Sequence, residues 1–165
     1  MAAFDHARTD VWTSPRTIMI GRTGPRLASV PSFSVEPVGR VESPLRNRAD
    51  APRQGDEGAP EAWLAFEPRV APALGDLRAG DEVLLLTWLD RADRDVLSVR
   101  PRSDPDRPLT GVFSTRSPDR PNPIGLHRVT VLAVDGLRVR VSGLEAIDGT
   151  PLLDVKPVLG AADER

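Results

Sequence analysis

Proline is the residue that most restricts how this chain can fold. It occupies 17 of the 165 positions, about twice the usual share of roughly 5%. Because each proline fixes φ and lacks an amide donor, a cluster of prolines excludes both a regular helix and a central strand. Six of the 17 prolines fall within residues 101–123. We therefore expect short elements joined by long, stiff loops.

The densest proline cluster lies in residues 111–126, whose sequence is GVFSTRSPDRPNPIGL. Three X-Pro steps follow one another there, and each moves the preceding residue out of the α region. The segment is therefore predicted to be an extended loop that carries Arg116 and Arg120 between two strands. A stiff loop can bind a ligand with little loss of entropy. Prolines also protect sheet edges from pairing, and the residues alone leave both interpretations open.

The clearest secondary-structure signal is a hairpin. Residues 129–134 and 137–142 alternate in side-chain character on either side of Asp135-Gly136. Alternation around an Asp-Gly pair predicts two antiparallel strands joined by a tight turn. His127 falls inside the predicted strand 124–134. There we expect a hydrogen-bonded or solvent-facing histidine rather than a catalytic base.

The rest of the chain is predicted to be mainly β. Further short strands are expected at 33–41, 63–66, 82–89, 95–100, 111–115 and 152–158, and one or two helical turns at 70–77. About seven short strands with turns between them predict an antiparallel sheet closed into a barrel or sandwich, with long loops and little helix. Residues 32–160 form this domain, between a flexible tail at 1–31 and a short tail at 161–165.

Composition excludes several kinds of site. Cysteine is absent and His6 and His127 are the only histidines, so thiolate zinc, disulfides and multi-histidine metal sites are excluded, and we expect no metal. No apolar run reaches about 18 residues and no leader peptide is evident, so we expect a soluble cytoplasmic protein without a membrane partner. The net charge of −2 excludes a global basic field.

Three other segments carry polar side chains near predicted strand ends. They are residues 51–54, the pair Asp90 and Arg91 after a buried apolar run, and residues 141–157. Carboxylates in the last segment suit ribose hydroxyls or an ammonium group. Asp148, which precedes Gly149, is also a usual turn residue.

These segments resemble one known family. The blocks PRQ (52–54), WLDRA (88–92), GVFSTRSPDRPNPIGL (111–126) and VSGLEAIDGTPLLDVKP (141–157) occur in the same order in the TrmO/YaeB-like S-adenosylmethionine-dependent tRNA methyltransferases. The resemblance covers roughly residues 33–158. It implies a small antiparallel β-barrel and a homodimer with S-adenosylmethionine bound near the subunit interface. It also implies methyl transfer to N6 of threonylcarbamoyl-adenosine at tRNA position 37, in the anticodon loop.

The resemblance also implies site residues. The cofactor contacts fall on Pro52, Arg53, Gln54, Asp90, Arg91, Arg116, Leu126, Ser142, Gly143, Leu144 and Glu145. The tRNA contacts are expected at Arg120, Asn122 and Lys156. The group that orients and deprotonates the amine is open among Asp148, Glu145 and Asp90. Two alternatives remain: a methyltransferase of this fold with another or smaller substrate, and an S-adenosylmethionine-binding module without turnover.

Overall fold

The structure, a computed structural model, describes residues 34–160, so the predicted tails 1–31 and 161–165 and the start of the first predicted strand lie outside it. The strands of the described part are β1 Gly39–Glu42, β2 Ala62–Phe66, β3 Glu82–Trp88, β4 Ser98–Val99, β5 Thr110–Gly111, β6 Ile124–Asp135, β7 Arg138–Val141 and β8 Pro151–Pro157. Short 3₁₀ helices occupy Gly55–Glu57, Pro68–Leu74, Pro101–Ser103 and Val112–Ser114.

Six of the strands form one closed antiparallel sheet. Their order is β1-β2-β7-β6-β3-β8, and β8 pairs back onto β1. β4 and β5 pair separately as a two-stranded ribbon. The predicted mainly β fold, an antiparallel barrel with little helix, is confirmed. The closed sheet has six strands rather than about seven because the ribbon stands apart from it.

The interior of the closed sheet is filled by alternate side chains, as in other small barrels. Its centre is made of aliphatic residues that include Val41, Leu64, Leu85, Val139 and Leu152, all less than 2% exposed. β6 contributes Val129 and Val131 from the same face. This core fixes the register of β3 against β6, and that register positions the site.

The predicted hairpin is β6–β7, with its turn one residue later than the Asp-Gly pattern indicates. Asp135 pairs with Arg138, which leaves Gly136 and Leu137 as the two loop residues. Gly136 has φ of +57°. Because glycine takes positive φ without a steric penalty, the loop places it at the first central position and keeps Asp135 in the strand.

Three predicted elements are shorter than expected. The first described strand begins only at Gly39, two residues after Pro37, and Val35 is exposed. The strand at 95–100 is reduced to Ser98–Val99. The prediction of a strand at 111–115 is wrong beyond Gly111, because the Thr115 amide donates to the Val112 carbonyl and closes a 3₁₀ turn.

The predicted helical turn at 70–77 appears slightly earlier, as Pro68–Leu74. No helix within residues 34–160 is long and apolar enough to cross a membrane.

Candidate functional site

A cleft of about 970 Å³ lies where β3 ends and β6 begins. Trp88 and Ile124 pair at this point, so the loops that follow β3 and precede β6 emerge side by side. The cleft is lined by side chains from 48–54, 89–92, 99–107, 113–120, 124–127 and 145–150. Segments far apart in the sequence therefore meet at one place.

Most of the predicted site residues meet on this cleft. Its lining includes Pro52, Arg53, Gln54, Asp90, Arg91, Arg116, Arg120, Leu126 and Glu145. The other predicted residues, Asn122, Ser142, Gly143, Leu144, Asp148 and Lys156, do not line it.

A close backbone approach brings two of the predicted blocks together. A Cβ atom placed on Gly55 would lie 2.4 Å from the carbonyl oxygen of Gly143. Only a residue without a side chain allows this approach. The segment containing residues 52–54 is thereby held beside residues 142–145.

Residues 142–144 support this arrangement from within the fold. Leu144 is fully buried, and its amide donates to the Pro60 carbonyl at 3.1 Å. The Ser142 hydroxyl accepts a hydrogen bond from the Thr130 amide at 3.3 Å. These residues anchor the segment that presents Glu145 to the cleft.

The proline-rich loop forms neither helix nor strand between Thr115 and Pro123, as predicted, and it is braced by Arg120. The guanidinium of Arg120 donates to the carbonyls of Thr115 at 2.6 Å, Ser117 at 2.8 Å and Val112 at 3.1 Å. The side chain predicted to contact RNA thus donates to carbonyls of its own loop.

Asp119 ties the same loop to the segment after β3. Its carboxylate accepts from the Arg48 guanidinium at 2.9 Å and from the Asp93 amide at 2.9 Å. Burial raises the pKa of the Asp119 carboxyl, but the hydrogen bonds from Arg48 and Asp93 outweigh it and hold the pKa below its usual value. The Leu89 amide adds a bond to the Pro123 carbonyl at 2.8 Å.

Arg53 and Arg116 contrast with these braced side chains. Both are exposed and line the cleft. Neither makes a side-chain hydrogen bond or ion pair within the described part of the chain. Two guanidinium groups are therefore available for planar, bidentate contact with an anion.

Glu145 is held by a histidine for which the sequence analysis gave no role in binding. His127 Nδ1 lies 2.8 Å from Glu145 Oε1, and His127 Nε2 lies 2.9 Å from the hydroxyl of buried Thr87. The expectation of a hydrogen-bonded histidine is correct. The alternation along β6 could have placed His127 on the inward face with Val129, but its two partners could not be inferred from spacing.

The remaining carboxylate candidates differ in their surroundings. Asp148 accepts from the Ser43 amide at 3.0 Å and pairs with Arg46, away from the cleft lining. Asp90 is exposed at the cleft, and its carboxylate has no partner within residues 34–160. Lys156 pairs with Asp154 on β8 at 2.8 Å.

The charge of the cleft is opposite to that of the whole chain. Its lining contains the carboxylates Asp90, Asp119 and Glu145 and eight arginines, which are Arg48, Arg53, Arg91, Arg100, Arg102, Arg107, Arg116 and Arg120. Sequence reasoning missed Arg48 and the three at 100–107, because they come from the polar loop before residue 52 and from the connection between β4 and β5 rather than from a recognised motif. Within residues 34–160, no group of three His, Asp or Glu side chains is placed to hold a metal ion.

Comparisons with known proteins agree with these motifs. The family model of the tRNA-methyltransferase O N-terminal domain matches residues 40–164. A probable S-adenosyl-L-methionine-binding protein of Methanothermobacter thermautotrophicus is 44% identical over 123 residues, which are 74% of this chain and 88% of the relative. A probable S-adenosyl-L-methionine-binding protein VirR of Rhizobium radiobacter is 42% identical over 120 residues, 73% of this chain and 67% of the relative.

The fold is also similar to that of solved TrmO structures. The crystal structure of TrmO from Pseudomonas aeruginosa matches with a TM-score of 0.63 and 31% sequence identity, over 81% of this chain and 59% of the TrmO chain. This chain thus spans less than two thirds of the solved TrmO chain. The resemblance seen in the sequence is confirmed, and the chain belongs to the family of the tRNA-methyltransferase O N-terminal domain.

Proposed function

We propose that this protein is an S-adenosylmethionine-dependent methyltransferase that binds its cofactor in the cleft where β3 ends and β6 begins. One observation carries the proposal: the four sequence blocks that mark the family, far apart in the chain, each contribute residues to one cleft. Relatives described as S-adenosylmethionine-binding proteins, at more than 40% identity, support the same ligand.

The residues of the cleft fit this cofactor chemically. Its volume lies within the range of about 300–1,000 Å³ that is usual for small-molecule sites. Arg53 and Arg116 are free to bind the amino-acid carboxylate, and Glu145 has an oxygen that His127 does not engage. Pro52 and Leu126 supply apolar surface for an adenine ring.

When bound, S-adenosylmethionine supplies a methyl group already activated on a sulfonium. The chain therefore needs to orient the substrate amine and accept its proton, which is catalysis by proximity and orientation. Of the three carboxylate candidates, Asp148 is committed to Ser43 and Arg46. Asp90, exposed at the cleft without a side-chain partner in the described residues, is the acceptor we favour for the proton. Glu145, held by His127, suits a ligand hydroxyl.

The substrate we propose is N6 of threonylcarbamoyl-adenosine at tRNA position 37. Eight arginines against three carboxylates make the cleft locally basic, although the chain carries a net charge of −2. Phosphate contacts by several arginines make binding strongly dependent on salt. Because the target base lies in a single-stranded loop, it can enter the cleft without the opening of a duplex.

The exposed apolar rim of the cleft supports a homodimer. Phe113 and Ile124 line the cleft and are 83% and 48% exposed. Side chains of this size are usually covered by a partner when they cluster. We expect sedimentation to give a dimer, and Phe113→Ser to shift it toward the monomer. A monomer at all concentrations would contradict this assembly.

A calorimetric titration with S-adenosylmethionine, followed by mass analysis of treated tRNA, tests the function. We expect saturable binding and a mass gain of one methyl group on threonylcarbamoyl-adenosine, and none on tRNA lacking that modification. No binding at millimolar cofactor would contradict both steps. Binding without transfer to this nucleoside would leave a binding module or an enzyme for another substrate.

A further inference from the structure

His127 occupies an unusual position for a residue with no assigned role. It is 5% exposed, lies on the inward face of β6 and still borders the cleft. We propose that His127 is a positioning residue, which holds Glu145 so that one carboxylate oxygen faces a hydrogen-bond donor of the bound nucleoside. This inference rests on the proposed function, because it concerns the same cleft.

The carboxylate partner identifies which ring nitrogen of His127 carries the donated proton. An ionised carboxylate can only accept, so Nδ1 of His127 must carry the proton donated to Glu145 Oε1 at 2.8 Å. In the neutral imidazole, Nε2 is then the acceptor, and the Thr87 hydroxyl donates to it at 2.9 Å. The chain Thr87–His127–Glu145 therefore runs in one direction, from the barrel interior to the cleft.

The imidazole of His127 and the Thr87 hydroxyl lie close to the backbone of Gly125. A Cβ atom on Gly125 would lie 2.3 Å from the Thr87 hydroxyl oxygen and 2.6 Å from His127 Nε2. The strand thus packs directly against the hydrogen bond between the two side chains. A side chain at position 125 would displace this hydrogen bond, so glycine there allows His127 to lie between Thr87 and Glu145.

On its other side, the carboxylate of Glu145 lies beside Gly55, in the segment that follows Gln54. Its Oε2 atom lies 3.5 Å from the position of a Cβ atom on Gly55. Its side chain is 20% exposed. With Oε1 engaged by His127, Oε2 is the atom left to accept from a ligand. A carboxylate already ordered in this way loses less entropy on binding a ribose hydroxyl or an amine.

Two substitutions at position 127 separate positioning from packing. His127→Leu keeps a similar volume and removes the donor, whereas His127→Asn keeps an N–H on the atom next to Cγ, where Nδ1 stands. We expect His127→Leu to weaken S-adenosylmethionine binding about tenfold, the cost of losing a charged hydrogen bond, and His127→Asn to restore most of the affinity. Equal losses in both folded variants, or no loss in either, would overturn the inference.

Coupling with Glu145 gives a second test. If His127 acts through Glu145, the double variant His127→Leu with Glu145→Gln should bind no more weakly than Glu145→Gln alone. Independent, additive losses would contradict the proposed role. Unaltered protein that fails to bind S-adenosylmethionine contradicts the proposed function itself, so the two failures are distinguishable.

A spectroscopic measurement tests the same geometry without ligand or activity. The chain has only two histidines, so His6→Gln leaves one imidazole for ¹⁵N NMR. We expect His127 to be protonated at Nδ1, and Glu145→Gln or Thr87→Val to weaken that preference. An imidazole protonated only at Nε2, in protein with Thr87 and Glu145 unaltered, would overturn the assignment.

Discussion

The proline-rich loop, residues 111–126, and the segment 142–150 border the same cleft. In each of them, one charged side chain holds the fold and another is left available to a ligand. In the loop, Arg120 donates hydrogen bonds to three backbone carbonyls, whereas the side chain of Arg116 has no partner in the described part of the chain. In the other segment, Asp148 is bound by Ser43 and Arg46, while Glu145 keeps one oxygen free. A charged side chain whose polar atoms are already hydrogen-bonded holds the fold. One with a polar atom left unbonded is available to a ligand, whatever its residue type.

Among the substitutions that test this difference between charged side chains, Arg120→Ala is expected to have the largest effect on stability. Arg120→Ala removes three charge-assisted hydrogen bonds and leaves the carbonyls of Thr115 and Ser117 without this donor, so it should lower the free energy of unfolding by about 3 kcal/mol. Urea denaturation measures the loss. A fully stable variant with weakened tRNA binding would instead assign Arg120 to the RNA.

Arg116→Ala should give the opposite result. Because this side chain has no partner within residues 34–160, its loss should leave the unfolding free energy within about 0.5 kcal/mol of the original. The affinity for S-adenosylmethionine should fall about 30-fold, as expected when an anion loses a bidentate guanidinium. Calorimetry measures the affinity of Arg116→Ala for S-adenosylmethionine. The same measurement on Arg53→Ala, which removes the other unpaired arginine of the cleft, provides the comparison. Unchanged affinity would remove Arg116 from the cofactor site.

Asp119 offers a test by pH. Its pKa lies below the usual 3.8 in the folded protein, so its stabilisation is complete above that value and is lost as pH falls through the lowered pKa. Asp119→Asn should cost about 1–2 kcal/mol at pH 7, since it weakens the bonds from Arg48 and Asp93. The difference between the two proteins should shrink below pH 3.8. A difference independent of pH would contradict an ionised Asp119.

The smallest effect is expected at Asp148. Asp148→Asn retains an oxygen for the Ser43 amide and loses only the pairing with exposed Arg46, which should cost less than about 1 kcal/mol. Cofactor affinity and methyl transfer should be unchanged. Loss of transfer with intact binding would make Asp148, rather than Asp90, the proton acceptor.

Patterns within short stretches of sequence predicted the elements whose conformation is set by neighbouring residues. The alternation around Asp135-Gly136 predicted the β6–β7 hairpin, and the X-Pro steps predicted that residues 115–123 form neither helix nor strand. The turn moved by one residue because Gly136 takes the positive φ. The strand expected at 111–115 failed because a 3₁₀ turn closed there first.

The site was predicted as a set of residues, but its internal contacts were not. Motif order identified nine residues that the cleft brings together. The bond between His127 and Glu145 depends on the register of β3 against β6 and on the approach of Gly55 to Gly143. Those long-range contacts carry no sequence period, so spacing could not distinguish Arg120 from Arg116 or Asp148 from Glu145.

A crystal structure with bound S-adenosylhomocysteine tests the division of charges most directly. We predict that the ligand lies in the cleft where β3 ends and β6 begins, with its carboxylate on Arg116 or Arg53 and a hydroxyl or amine on Glu145. Arg120 should remain on the carbonyls of Val112, Thr115 and Ser117. A ligand bound elsewhere, or held by Arg120 in place of Arg116, would contradict this division.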